Sequence, residues 1–229
     1  MDFLKNNKRF SFKLGGTHAW DLDYKSEVTS VGNEVTTVYL FDGGIKITNI
    51  AKKYDKFGAY EWVNYIENTS DKPSEIISDL WDCDCTLPLK FEENRKWGEA
   101  YYPDAKTATK VYAPTGSVWS KTEFSCDVDT IRDNCRINHI YPGDTKEYSA
   151  SGGRSSEERA PFYNVYKYGE GYILALGWTG QWKAEISRAN DSVTFRSKIE
   201  DTFFRLKKGD TWTEPCAIVD SLMLAGMLN

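Results

Sequence analysis

The residues best placed to do chemistry are three aspartates in one short run, Ser78-Asp79-Leu80-Trp81-Asp82-Cys83-Asp84. Glycoside hydrolysis needs two carboxyl groups flanking the scissile bond, about 5 to 9 Å apart. Two apart on a strand, Asp82 and Asp84 would share a face and fall near the lower end of that range. Acidic residues on a solvated sheet face are nevertheless far commoner than a catalytic dyad. The two histidines, His18 and His139, are distant in sequence. A metal site needs clustered His, Cys or carboxylate ligands at defined spacing, and none appears, so neither metal nor cofactor is expected. A sugar epimerase would pair a His with a Glu as acid and base, a role open to His139, although lone histidines more often serve the fold. There is no GxSxG elbow, phosphate loop or GxGxxG turn after a strand. No complete catalytic set is expected.

Trp178-Thr179-Gly180-Gln181-Trp182 places two tryptophans around a glycine-containing turn. Such rings either present their faces to a sugar or pack into the core, and packing is the commoner outcome. Trp20, Trp62 and Trp119 carry the same two readings.

The elements that must hold these residues read as strands. Period-two alternation recurs and helical periodicity is almost absent. Val35, Thr37, Tyr39 and Phe41 align on one strand, and the turn Asp42-Gly43-Gly44 predicts a hairpin into Ile45 and Ile47. Tyr60 to Glu67 carries large side chains on both faces, which predicts a central strand covered on both sides. Ile76 to Trp81 and Leu87 to Phe91 read as further strands. Tyr172 to Leu176 is an apolar run expected deep between two sheets. In the next strand Trp182, Ala184 and Ile186 alternate with Lys183, Glu185 and Ser187, leaving one wet face. Val193 with Phe195, and Phe204 with Leu206, repeat the pattern. The turn Lys207-Lys208-Gly209-Asp210 introduces Trp212 to Val219. Glu92 to Thr122 and Tyr141 to Pro161 read as long loops. The tail from Ser221 to Leu228 reads as one short helix or a strand in need of a partner. The expected architecture is all-β, a large two-sheet antiparallel sandwich spanning 1–229 as one domain.

Composition agrees with that class. The 229 residues include 8 Trp, 14 Tyr and 11 Phe, which favour strands and stack on flat ligands. A net charge of −5, with scattered basic residues, argues against a nucleic-acid partner. Lys5-Asn6-Asn7-Lys8-Arg9 reads as a solvated terminus. Met1 to Lys5 lacks the pattern of a secretion signal, and no apolar run of about 18 residues predicts a membrane span. The five cysteines are odd in number and without CxxC spacing. Cys83 and Cys85 would share a strand face and not bridge. Reduced thiols and a cytoplasmic location are the expectation. Asn68-Thr69-Ser70 and Asn190-Asp191-Ser192 match the glycosylation pattern, which carries little weight without secretion.

Several segments, taken in order, resemble one family. They are Tyr60-Glu61-Trp62-Val63-Asn64-Tyr65-Ile66-Glu67-Asn68, Ile77-Ser78-Asp79-Leu80-Trp81-Asp82, Gly153-Arg154-Ser155-Ser156, Pro161-Phe162-Tyr163-Asn164 and Leu176-Gly177-Trp178-Thr179-Gly180-Gln181-Trp182. Together they look like the N-terminal β-sandwich of α-galactosidase-like glycoside hydrolases, family 36 and its near relatives (the melibiase group). Leu206 to Pro215 is similar to the closing strand of that domain. The resemblance implies a supersandwich of galactose-mutarotase type, a carbohydrate-processing context and a catalytic (β/α)8 barrel as partner, in cis or in trans. It also allows homo-oligomer formation and galactoside binding. The family's catalytic aspartates lie on the barrel, and the nearest approach here to its Lys-Trp-Asp signature is Lys96-Trp97-Gly98, without the carboxylate. No catalytic residue carries over. The residues expected to touch carbohydrate are Trp81, Asp82, Arg154, Trp178 and Trp182. A free-standing sugar-binding protein is the alternative, and a sugar epimerase a third reading.

Overall fold

The computed structural model describes residues 8–89, 109–117, 135–140, 143–167, 170–189 and 191–220. Strand β1 spans Ser11–Leu14, β2 Thr17–His18, β3 Tyr24–Val31, β4 Glu34–Phe41, β5 Ile45–Tyr54 and β6 Ala59–Asn68. Next come β7 (Ile77–Trp81), β8 (Cys83–Pro88), β9 (Thr109–Pro114), β10 (Cys135–Ile140), β11 (Thr145–Ser149) and β12 (Phe162–Lys167). The last are β13 (Glu170–Leu176), β14 (Trp182–Arg188), β15 (Ser192–Ile199), β16 (Phe203–Phe204) and β17 (Thr211–Asp220). All pairings between these strands are antiparallel. A nine-stranded sheet runs β10-β9-β12-β13-β17-β6-β5-β4-β3, and two four-stranded sheets run β16-β7-β1-β2 and β11-β14-β15-β8.

The expected all-β sandwich is present, and its second layer is divided. In the middle of the large sheet one face is buried: Ile45, Ile47, Asn49 and Ala51 on β5, and Trp62, Asn64, Ile66 and Asn68 on β6. Phe41, Ile45, Ile47 and Ile66 of that face pack against Phe12, Leu14, Ile77 and Leu80 of the first small sheet. Val35, Ala51, Trp62, Val165 and Leu174 pack against Cys83, Cys85, Ile186 and Phe195 of the second. Each large apolar side chain so buried contributes on the order of 1.5–3 kcal/mol.

Most of the alternation carries through to the fold. The Asp42-Gly43-Gly44 turn joins β4 to β5, with both glycines at positive φ, 91° and 81°. Trp182, Ala184 and Ile186 of β14 face inward, and the intervening residues are half-buried. Cys83 and Cys85 are buried on one face of β8 and form no disulfide with each other.

Four expectations change. Arg9, expected in a solvated terminus, is buried. Central strand β6 is covered on one face only: Tyr65, on the other, is 39% exposed. In β13, Leu174 and Leu176 reach the interior, while Tyr172, Ile173 and Ala175 stay half-buried. The loop expected between Tyr141 and Pro161 contains β11, paired along its whole length with β14. Asn68 is fully buried and donates to the Leu206 carbonyl at 2.9 Å, so its side chain is closed to glycosylation. Most of Glu92 to Thr122, with Lys96, Trp97 and Trp119, lies outside the described residues, as do the tail after Asp220 and the side chain of His139. Among the described residues no helix is long and apolar enough to cross a membrane.

Candidate functional site

On β4, β5 and β6 the inner face carries one line of polar residues that crosses all three strands. Thr37, Asn49 and Asn64 lie side by side across β4, β5 and β6, in register, and all three are buried. On each strand the apolar residues to one side of this line belong to one core, and those to the other side belong to the second. The line therefore marks the seam where the two small sheets meet.

Buried polar groups must find partners, and the seam supplies them. Asn49 accepts from the Arg9 guanidinium through Nε at 3.1 Å and also through Nη2. Its amide then donates to Asn64 Oδ1 at 2.6 Å. Asn64 Nδ2 and the Trp62 indole N–H both donate to the Asp82 carbonyl, each at 3.0 Å. Desolvation pulls the Arg9 guanidinium below its ordinary value, opposed by the Cys85 thiol and the Tyr39 hydroxyl.

Asp82 is the residue at which the chain leaves β7, in one small sheet, and enters β8, in the other. Its buried carboxylate accepts the Cys83 N–H at 2.8 Å and the Ser197 hydroxyl at 2.7 Å. Burial pushes this carboxyl up to about 7, with the two hydrogen bonds pulling the other way. Asp84 has separate partners, accepting from Ser11 Oγ at 2.5 Å and lying 3.4 Å from Arg196 Nε. Asp79 pairs with Lys198 at 2.9 Å and Lys13 at 3.1 Å. The Lys198 ammonium is the main cause holding its carboxyl down to about 2, against partial desolvation. Each of the three aspartates thus has hydrogen-bonding or cationic partners within the fold.

Trp81 and Trp182 present no ring face to solvent, at 4% and 1% exposure. The Arg196 guanidinium lies 4.0 Å and the Lys198 ammonium 4.5 Å from the Trp81 ring centre, a cation–π arrangement. The Trp182 indole donates to the Ser155 carbonyl at 2.7 Å. That bond helps dock the loop carrying Arg154 onto the Trp178–Trp182 turn, with Ser155 N–H to Thr179 O at 3.1 Å beside it. Arg154 itself is exposed and grips Glu157 at 2.8 Å. Trp178 is half-buried against the second core. Glycine at 180 makes room for it, since a Cβ there would stand 2.7 Å from the indole nitrogen.

The five expected contact residues therefore fall in two places. Arg154, Trp178 and Trp182 gather at one loop and turn, while Trp81 and Asp82 lie along β7 and the step into β8. Sequence reading missed Arg9, Asn49, Asn64 and Ser197. A signal was present in Asn49 and Asn64, polar residues at inward positions of otherwise apolar rows. Among the described residues, no group of three or more His, Cys, Asp or Glu side chains could hold a metal ion. An open cavity of about 460 Å³ lies beside the β4–β5 turn, lined by Tyr24, Asp42 and Thr69 among others, away from all five.

No protein-family profile and no curated protein matches the sequence. Solved structures do. The GH36 α-galactosidase AgaA of Geobacillus stearothermophilus superposes with a TM-score of 0.66 at 13% identity, over 94% of this chain and 30% of that one. The α-galactosidase of Lactobacillus brevis gives a TM-score of 0.64 at 11% identity, over 94% and 29%. The galactosidase domain of the α-galactosidase-sucrose kinase AgaSK gives 0.63 at 13% identity, over 94% and 30%. Substituted forms of AgaA have also been solved with stachyose and with raffinose. The chain spans about 30% of the length of these enzymes, and its fold is one that they contain.

Proposed function

We propose that this chain is the non-catalytic β-sandwich of an α-galactosidase-type glycoside hydrolase, serving as a scaffold for a catalytic barrel and for oligomer formation. One observation carries the reading: nearly the whole chain superposes on less than a third of each α-galactosidase. The placement of the aspartates supports it, because Asp79, Asp82 and Asp84 are all tied to partners within the fold. Two buried cysteines outside any disulfide fit a reducing, cytoplasmic setting. The test is to isolate the native protein with an antibody to this chain and assay aryl α-galactoside hydrolysis. Turnover in the native material, carried by an associated or continuous barrel, is expected. Native material without glycosidase activity would overturn the reading.

A second reading, carbohydrate contact, is favoured at one place. Arg154 and Trp178 keep exposed surface on the docked loop and turn, whereas Trp81, Asp82 and Trp182 are enclosed. Titrating raffinose while following tryptophan fluorescence should give a saturable change that Trp178→Ala abolishes and Trp182→Phe keeps. No change at millimolar sugar would remove this reading and leave the scaffold.

A further inference from the structure

Strand β3 is the edge of the nine-stranded sheet, and all eight of its residues are exposed. Among the described residues only β4 pairs with it, in unbroken register from Tyr24↔Phe41 to Val31↔Glu34. A long regular edge strand is a ready template for another strand, and proteins usually blunt such edges with proline, bulges or clustered charge. Here there is no proline and no bulge, and Val28 and Val31 are 51% and 74% exposed.

The direction of the free hydrogen-bonding groups is known from the neighbouring pair. The Asp42 N–H donates to the Asp23 carbonyl at 2.9 Å, so that pair is hydrogen-bonded. Alternation along an antiparallel ladder then turns the main-chain groups of Lys25, Glu27, Thr29 and Val31 toward β4. Those of Tyr24, Ser26, Val28 and Ser30 face outward. A second antiparallel strand must bond to these even-numbered residues, which restricts the self-pairings to a few registers.

Charge selects among them. A dyad at Lys25 or at Glu27 sets like charges directly opposite, and a dyad at Val28 leaves both charges unmatched. A dyad at Tyr24 matches Lys25 with Asp23 but leaves Glu27 without an opposite charge, since its partner position is Asp21, outside the strand. A dyad at Ser26 places Lys25 opposite Glu27 twice and Tyr24 opposite Val28 twice. It also places the charge pairs at non-hydrogen-bonded positions, where side chains stand closest. We infer that two copies of this chain join through β3, antiparallel about Ser26, so that their nine-stranded sheets become continuous. This pairing gives the proposed role in oligomer formation a definite surface, and its test needs neither a barrel nor a sugar.

The test is sedimentation of the 229-residue chain from about 1 to 200 μM, a range suited to a small contact. A species of twice the 26.2 kDa chain mass is expected. Lys25→Glu or Glu27→Lys should each weaken association by about tenfold or more, because symmetry counts every change twice. The double exchange Lys25→Glu with Glu27→Lys should restore it. Ser26→Pro, which removes an outward N–H and leaves the ladder to β4 intact, should give folded monomer by circular dichroism. A monomer throughout the range, or a dimer indifferent to the charge reversals, would overturn the pairing whatever the glycosidase assays show.

Discussion

The Asp82 carboxylate accepts the hydroxyl of Ser197 at 2.7 Å, joining residues 115 apart in sequence inside the seam between two small sheets. Its position explains how one carboxyl can look catalytic in sequence and yet serve the fold. Asp82 is the single residue between the end of β7 and the start of β8, and it holds the indole of Trp62 and the amide of Asn64 on its own carbonyl.

A pH dependence follows from its burial. The folded state holds this carboxyl up to about 7, from an ordinary 3.8, so between those values the folded chain binds a proton that the unfolded chain has released. Its contribution is therefore fully present below about pH 4 and is lost as pH rises through 7, with a ceiling of about 4 kcal/mol. Urea unfolding at pH 5 and pH 8 should show wild type losing stability relative to Asp82→Asn, whose side chain does not ionise. Parallel behaviour of the two proteins would show that Asp82 does not titrate in this way.

Asp79 should behave differently, because its backbone is left-handed at φ 51° and its ion pairs are partly exposed. Asp79→Ala loses both lysines and keeps the strained φ, for about 1–2 kcal/mol. Asp79→Gly loses the same pairs and relieves the strain, so it should be the milder change in thermal unfolding. An equal loss in both would remove the strain explanation.

The docked loop has a steric test. A Cβ on Gly116 would lie 1.9 Å from the Ser156 main-chain oxygen. Because the clash is with backbone, Gly116→Ala should cost more than about 2 kcal/mol and speed proteolysis between Ser151 and Arg159. Unchanged proteolysis would mean that the loop is not held against this segment.

Trp182→Phe removes the donor to the Ser155 carbonyl and should cost about 1–3 kcal/mol in denaturant unfolding. Trp178→Ala, at a half-buried ring, should cost less. The opposite ranking would mean that Trp178 anchors the turn.

The strands were legible because alternation encodes them directly: β14 keeps its wet and dry rows, and the Gly43-Gly44 turn makes its hairpin. The divided second layer was not, because the step from β7 to β8 occurs at a single residue with no turn signal around it. Arg9 looked solvated because its charge is read locally, whereas its partner Asn49 lies 40 residues away. The tryptophan pair was ambiguous for a similar reason. Which ring is enclosed depends on the Ser151–Glu157 loop folding back over Trp182, a contact that spacing along the chain does not carry.

The most direct measurement is aryl α-galactoside hydrolysis by the 229-residue chain alone, set beside Asp82→Asn and Asp84→Asn. A rate at the uncatalysed background for all three is expected if these carboxylates serve the fold. Turnover by the wild-type chain that either substitution abolishes would contradict it.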